Sequence, residues 1–178
     1  MPYVLQRHPD SFCVAAAHVE VDVARLRAGS LVLSYTVAGG ISDLLVPAVT
    51  TPSRTDELWR HTCFEAFIRA KPDGGYYEFN FAPSTQWAAY WFDGYRNGMR
   101  VAAEIDTPEI EVESTTERYT LRALLELSEW SSPSPWRLGL SAVIEDANGR
   151  KSYWALAHPP DKPDFHHSDC FAAELSPA

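Results

Sequence analysis

The chain has 178 residues, 46% of them hydrophobic, and carries a formal net charge of −9, with 24 acidic side chains against 15 basic ones. That composition suits one globular domain over residues 1–178 with a substantial core, and the acidic balance argues against nucleic acid or an anionic membrane as partner. Cys13, Cys63 and Cys170 are too scattered for a disulfide framework or a CxxC pair; with no signal-peptide pattern and no apolar run near the roughly 18 residues of a membrane span, a soluble, reducing, cytoplasmic setting is expected.

From Phe12 to Val23 the residues alternate, with Val19, Val21 and Val23 on one side and His18, Glu20 and Asp22 on the other, which predicts a half-buried strand. A turn over Leu26–Gly29 leads to a second strand, marked by Leu31, Leu33, Tyr35 and Val37 and ended by Gly39-Gly40. Ile41–Pro47 is read as a short strand and Ala48–Asp56 as a polar loop.

Two strands joined by a Lys71-Pro72-Asp73-Gly74-Gly75 turn come next. In the first, Phe64, Ala66 and Ile68 share one face and Cys63, Glu65 and Phe67 the other. In the second, Tyr77, Phe79 and Phe81 oppose Tyr76, Glu78 and Asn80. Each strand thus sets a carboxylate between aromatic neighbours. Glu65 and Glu78 are either outward charges on a solvated sheet face or the lining of a concave polar site.

Gln86–Tyr95, rich in Trp87, Tyr90, Trp91, Phe92 and Tyr95, is read as a strand whose rings serve packing rather than a binding platform. Glu109–Glu113 and Tyr119–Leu127 follow as strands, then Ser128–Pro135 as a loop too rich in proline for a helix. Arg137–Asp146 is a strand with Leu138, Leu140, Ala142 and Ile144 inward, turned back by Asp146-Ala147-Asn148-Gly149 onto Ser152–Ala157. His158–Asp169 is a long irregular loop before a last strand, Phe171–Leu175. About ten short strands and little helix predict an all-β fold, an antiparallel β-sandwich of jelly-roll type.

The segment Leu58-Trp59-Arg60-His61-Thr62-Cys63-Phe64-Glu65-Ala66-Phe67-Ile68 resembles the signature of type 9 carbohydrate-binding modules and their DOMON relatives, in which a Trp precedes a strand Glu by six positions. Arg137-Leu138-Gly139-Leu140 followed by Glu145-Asp146-Ala147-Asn148 is similar to the family's late hairpin, and Phe165, six residues before Phe171, stands where the family has its second ring. The likeness runs from the second strand to Leu175. The Pro163-Asp164-Phe165-His166-His167 ending looks more like a bacterial DOMON-like subfamily.

The resemblance implies a non-catalytic ligand-binding domain for a saccharide or sugar-like metabolite. Carried onto this chain, Trp59 and Phe165 would clamp the sugar, Glu65 would accept hydrogen bonds from its hydroxyls, and Glu78 and Asn80 would add polar contacts. Phe165 replaces the family's usual Trp, a smaller ring for C–H stacking. The inventory suits a pyranose, which offers apolar C–H faces and a rim of hydroxyls. Arg60, His61 and His166 stand beside the two rings and could add donors.

Other classes remain open on sequence. The family's haem-binding members imply a noncovalent haem held by Met99 with His61, His158 or His166, no CxxCH attachment motif being present. His158, His166 and His167, with Asp164, Asp169 or Glu65, are weak metal candidates, unsupported by HxH, HxxxH or HExxH spacing. Glu65 and Glu78 as an acid/base pair would make a glycosidase. A structural or protein-interaction domain without a small ligand is the remaining alternative, its protein partner unspecified.

Overall fold

The computed structural model describes residues 2–27, 29–71, 74–127 and 134–177. Its strands in chain order are β1 (Tyr3–Arg7), β2 (His18–Arg27), β3 (Ser30–Ala38), β4 (Cys63–Arg69), β5 (Tyr76–Phe81), β6 (Trp87–Phe92), β7 (Arg100–Val101), β8 (Glu109–Ser114), β9 (Arg118–Glu126), β10 (Trp136–Glu145), β11 (Lys151–Ala155) and β12 (Ala173–Leu175). They pair in the order β7-β6-β5-β4-β10-β11-β1-β2-β3-β9-β8, with β12 also on β10. β1 pairs antiparallel with β11 on one edge and β2 on the other, so the sheet curls at β1 into two layers. The expected antiparallel sandwich is the architecture observed.

The core between the layers follows from period-two alternation. Val19, Val21, Leu31, Leu33, Tyr35, Val37 and Leu121 from the front layer (β2, β3, β9, β8) meet Phe64, Ala66, Ile68, Phe79, Phe81, Leu138, Leu140 and Ile144 from the back layer. Each large apolar side chain so buried contributes about 1.5–3 kcal/mol against chain entropy.

The back layer has a second covered face. β4 and β10 are buried on both sides almost throughout, and such strands read as near-continuous apolar runs. On their outer face Phe67, Tyr76, Tyr90, Phe92, Val143, Phe165 and Phe171 form a separate cluster. The chain after β11 supplies the cover. β11 lies opposite Ser141–Glu145 and β12 opposite Trp136–Leu138, on one and the same edge of β10. Residues 156–172 therefore leave that edge and return to it, folding over the outer face between. Gly139 permits the close approach: a Cβ there would sit 3.2 Å from the Cys170 carbonyl oxygen and 3.3 Å from Phe67.

Several sequence expectations need correction. Ile41–Asp43 is a 3-10 turn rather than a strand, because Asp43 and Leu44 hydrogen-bond back to Gly40 and Ile41; Leu44 alone bridges, to Asp146. The first alternating strand begins at His18, not Phe12, and runs through Leu26 and Arg27 with a bulge that absorbs a register shift. β1 and β7 were not foreseen: one is a short N-terminal strand, the other two exposed residues. Residues 72–73 of the expected turn and 128–133 of the Ser/Pro loop lie outside the described residues. All three cysteines are free and buried, and among the described residues no helix is long and apolar enough to cross a membrane.

Candidate ligand-binding site

Strand register places the two carboxylates. Glu65 lies opposite Asn80 and Phe67 opposite Glu78. Both acids therefore point to the outer face of the back layer, on diagonal positions whose backbones stand about 7–8 Å apart. Neither is an outward charge on a solvated face: Glu65 is 3% exposed and Glu78 5%.

The polar groups around them are unevenly shared. Asn80 donates Nδ2 to Glu78 Oε1 at 2.7 Å and accepts the Cys63 thiol on Oδ1 at 3.5 Å. That occupies the amide, and Oε1 of Glu65 has no hydrogen-bond partner. Burial pushes Glu65 well above the ordinary carboxylate range, the charge of Glu78 adds to this, and Arg96 opposes it. Burial also pushes Glu78 up to about 7, against the Asn80 hydrogen bond and Arg96.

Above these acids opens a cavity of about 540 Å³. Four parts of the chain wall it: Trp59 before β4; Phe92, Arg96 and Met99 at the end of β6 and beyond; Val143 and Tyr153 from the β10–β11 hairpin; and Lys162, Pro163, Phe165 and His166 from the 156–172 segment. Trp59 sits in a 3-10 turn, Leu58–Arg60, entered through a left-handed Glu57 (φ 60°). It packs edge-on against Tyr90 at 6.0 Å, and the Tyr90 hydroxyl in turn donates to Asp56. The Trp is thus anchored from β6 although it belongs to a loop.

An ion pair ties the covering segment to the β6–β7 connection. Arg96, itself left-handed at φ 50°, donates Nη2 and Nε to Asp164 Oδ1 at 2.7 and 3.2 Å. The Tyr95 hydroxyl and the His166 backbone N–H also donate to Asp164. Burial would raise that acid, yet the Tyr95 and Arg96 hydrogen bonds hold it below its ordinary value. His166 Nδ1 lies 2.8 Å from the Tyr76 hydroxyl and its Nε2 3.6 Å from Glu78. Burial and the nearby Arg96 charge lower this imidazole to about 4, so it is neutral at pH 7.

Among solved structures, a candidate carbohydrate-binding protein of Bacteroides uniformis superposes with a TM-score of 0.66 at 12% identity, over 98% of this chain and 86% of that one. A family 9 carbohydrate-binding module of Caldicellulosiruptor kristjanssonii in complex with cellotriose gives 0.56 at 10% identity, over 89% and 73%. In complex with glucose it gives 0.56 at 10%, over 90% and 76%. The fold is that of a type 9 carbohydrate-binding module. No family model matches the chain, and no curated protein matches it.

On this type 9-like fold, Trp59, Glu65, Glu78, Phe165 and His166 meet at one cavity. Asn80 lies behind the floor, holding Glu78. Arg60 and His61 turn elsewhere, Arg60 to Glu57 at 2.6 Å and His61 Nδ1 to Glu145 at 2.7 Å. The three weak metal candidates are separately engaged. His158 Nε2 lies 2.8 Å from the Gln6 carbonyl, His167 accepts from the Asp169 N–H, and His166 faces Tyr76. Among the described residues no group of three or more His, Cys, Asp or Glu could hold a metal. Sequence reasoning missed Arg96, Tyr153 and Lys162 as wall residues. Tyr153 sits in a period-two strand and Lys162 in a loop, and neither position carries a local signal.

Proposed function

We propose that this chain is a non-catalytic saccharide-binding domain, its ligand lodged in the cavity above Glu65 and Glu78. The observation that carries the reading is the unpartnered Oε1 of a buried Glu65 at the foot of an aromatic-walled cavity. Such an oxygen costs about 1–3 kcal/mol while unmatched, and a sugar hydroxyl would match it. Trp59, Tyr153 and Phe165 offer apolar surface for C–H faces. Neighbours of the same fold are described in complex with glucose and cellotriose. The DOMON-like kinship and the cytoplasmic setting belong to this same reading.

Calorimetric titration with a panel of mono- and oligosaccharides, glucose and cellotriose included, tests it. Saturable binding is expected for wild type, and its loss in a Trp59→Ala/Glu65→Ala variant that keeps the wild-type circular dichroism. A panel without any binder, or a variant that binds as wild type does, overturns the assignment.

Noncovalent haem is a second reading, favoured by Met99 and His166 lining one cavity. Against it, His166 Nε2, the atom that would take iron, faces the Glu78 carboxylate. A Soret band on adding haemin that vanishes in Met99→Ala would displace the saccharide reading.

A further inference from the structure

We propose that the saccharide taken by this cavity is an amino sugar, its protonated amine seated against the carboxyl groups of Glu65 and Glu78. The inference rests on the saccharide-binding reading and adds the charge of the ligand. Buried carboxylates are ordinarily matched by a cation or by several donors. Here Glu65 Oε1 has no donor, and Glu78 has one from Asn80 plus the distant Nε2 of a neutral His166. Among the described residues no Lys or Arg forms an ion pair with either acid. Arg96 directs Nη2 and Nε to Asp164, and Lys162 is exposed on the covering segment.

An ammonium group brings three N–H donors and a charge to these oxygens, and charge-assisted hydrogen bonds are roughly twice as strong as neutral ones. Aromatic walls suit it as well, since ring faces attract a cation. Arg96 lowers both acids and the charge of Asp56 raises Glu78; Lys162, Tyr153 and His166 are the other titratable groups on the walls. Burial raises both acids, the charge of Glu78 raises Glu65 further and that of Asp56 raises Glu78, so at pH 6 the floor holds protons that a cation can displace. When the ammonium enters, a carboxyl group gives its proton to the buffer and the resulting carboxylate pairs with the intact –NH3⁺. A hydroxyl-only sugar needs no such release.

The full chain, titrated at pH 6 with glucosamine, glucose and cyclohexylamine in two buffers of different ionisation enthalpy, decides this. Glucosamine is expected to bind at least about tenfold tighter than glucose, with a buffer-dependent enthalpy that reports proton release. Glu65→Gln should weaken glucosamine more than glucose and diminish the buffer dependence; Glu78→Gln gives the same readout should the first variant not fold. Glucose binding as tightly as glucosamine, or glucosamine binding without proton release, overturns the amine and leaves the saccharide reading standing. Cyclohexylamine binding as tightly as glucosamine retains the amine and overturns the saccharide. No binding by any of the three overturns both.

Discussion

The Tyr35 hydroxyl on β3 donates across the core to the main-chain carbonyl of Glu65 on β4, at 2.7 Å. It joins the two layers at the residue whose side chain forms the cavity floor on the other face. Tyr35→Phe should therefore lower stability by about 1 kcal/mol, seen as a reduced urea midpoint with an unchanged slope. It should also weaken saccharide binding, although Tyr35 is fully buried and does not line the cavity. Intact affinity would show that the strand keeps its position without this bond.

Acidification should act on the site in two opposed ways. Glu78, at about 7 in the fold against an ordinary 4.5, holds more protons folded than unfolded between those values. Its neutral state is favourable in acid, and stability is lost as pH rises, by roughly 3 kcal/mol once pH 7 is reached. Glu65 acts in the same sense. His166, at about 4 against 6.5, does the reverse: its contribution is complete above pH 6.5 and lost as pH falls toward 4. Thermal melts from pH 7 to 5 should show a steeper gain on acidification in His166→Asn than in wild type, and a loss in Glu65→Gln/Glu78→Gln. A double variant that still gains stability in acid would contradict the assignment.

The Arg96–Asp164 pair should control the covering segment rather than the sandwich. Asp164 receives Arg96, Tyr95 and the His166 N–H, so Asp164→Ala strands more groups than Arg96→Ala and should cost more. Limited proteolysis should cut within residues 156–172 faster in both variants, with global melting nearly unchanged. A double-mutant cycle on the proteolysis rates should yield a clear coupling between the two residues. Strict additivity would mean that the pair does not hold the segment.

The three thiols give a simple check on the fold. Cys13, Cys63 and Cys170 are each at most 2% exposed. A thiol reagent should label none of them rapidly in the native protein and all of them in denaturant. Fast native labelling of Cys170 alone would mean that residues 156–172 open readily.

Period-two strands were legible because one face of each meets the core; Val19–Val21–Val23 and Leu31–Leu33–Tyr35 show this plainly. Ile41–Pro47 misled because an apolar run beside Gly39-Gly40 resembles a strand, while the local bonds of a 3-10 turn leave no trace in hydrophobicity. For the site, Glu65 and Glu78 stood out as carboxylates among aromatics, a placement costly without purpose. Arg96 did not, since its role depends on a turn that brings it to Asp164, 68 positions away in the chain. Arg60 and His61 were plausible neighbours of Trp59, but the 3-10 turn rotates successive side chains apart.

One consequence follows from how β11 and β12 share an edge of β10. A segment whose two ends are anchored side by side can change length and sequence without altering the distance it must span. On the saccharide reading proposed above, ligand choice would drift in 156–172, where Phe165, His166 and Lys162 line the cavity, while the framework that displays Glu65 and Glu78 stays constant. Grafting that segment between relatives of this shape should transfer preference without refolding the host.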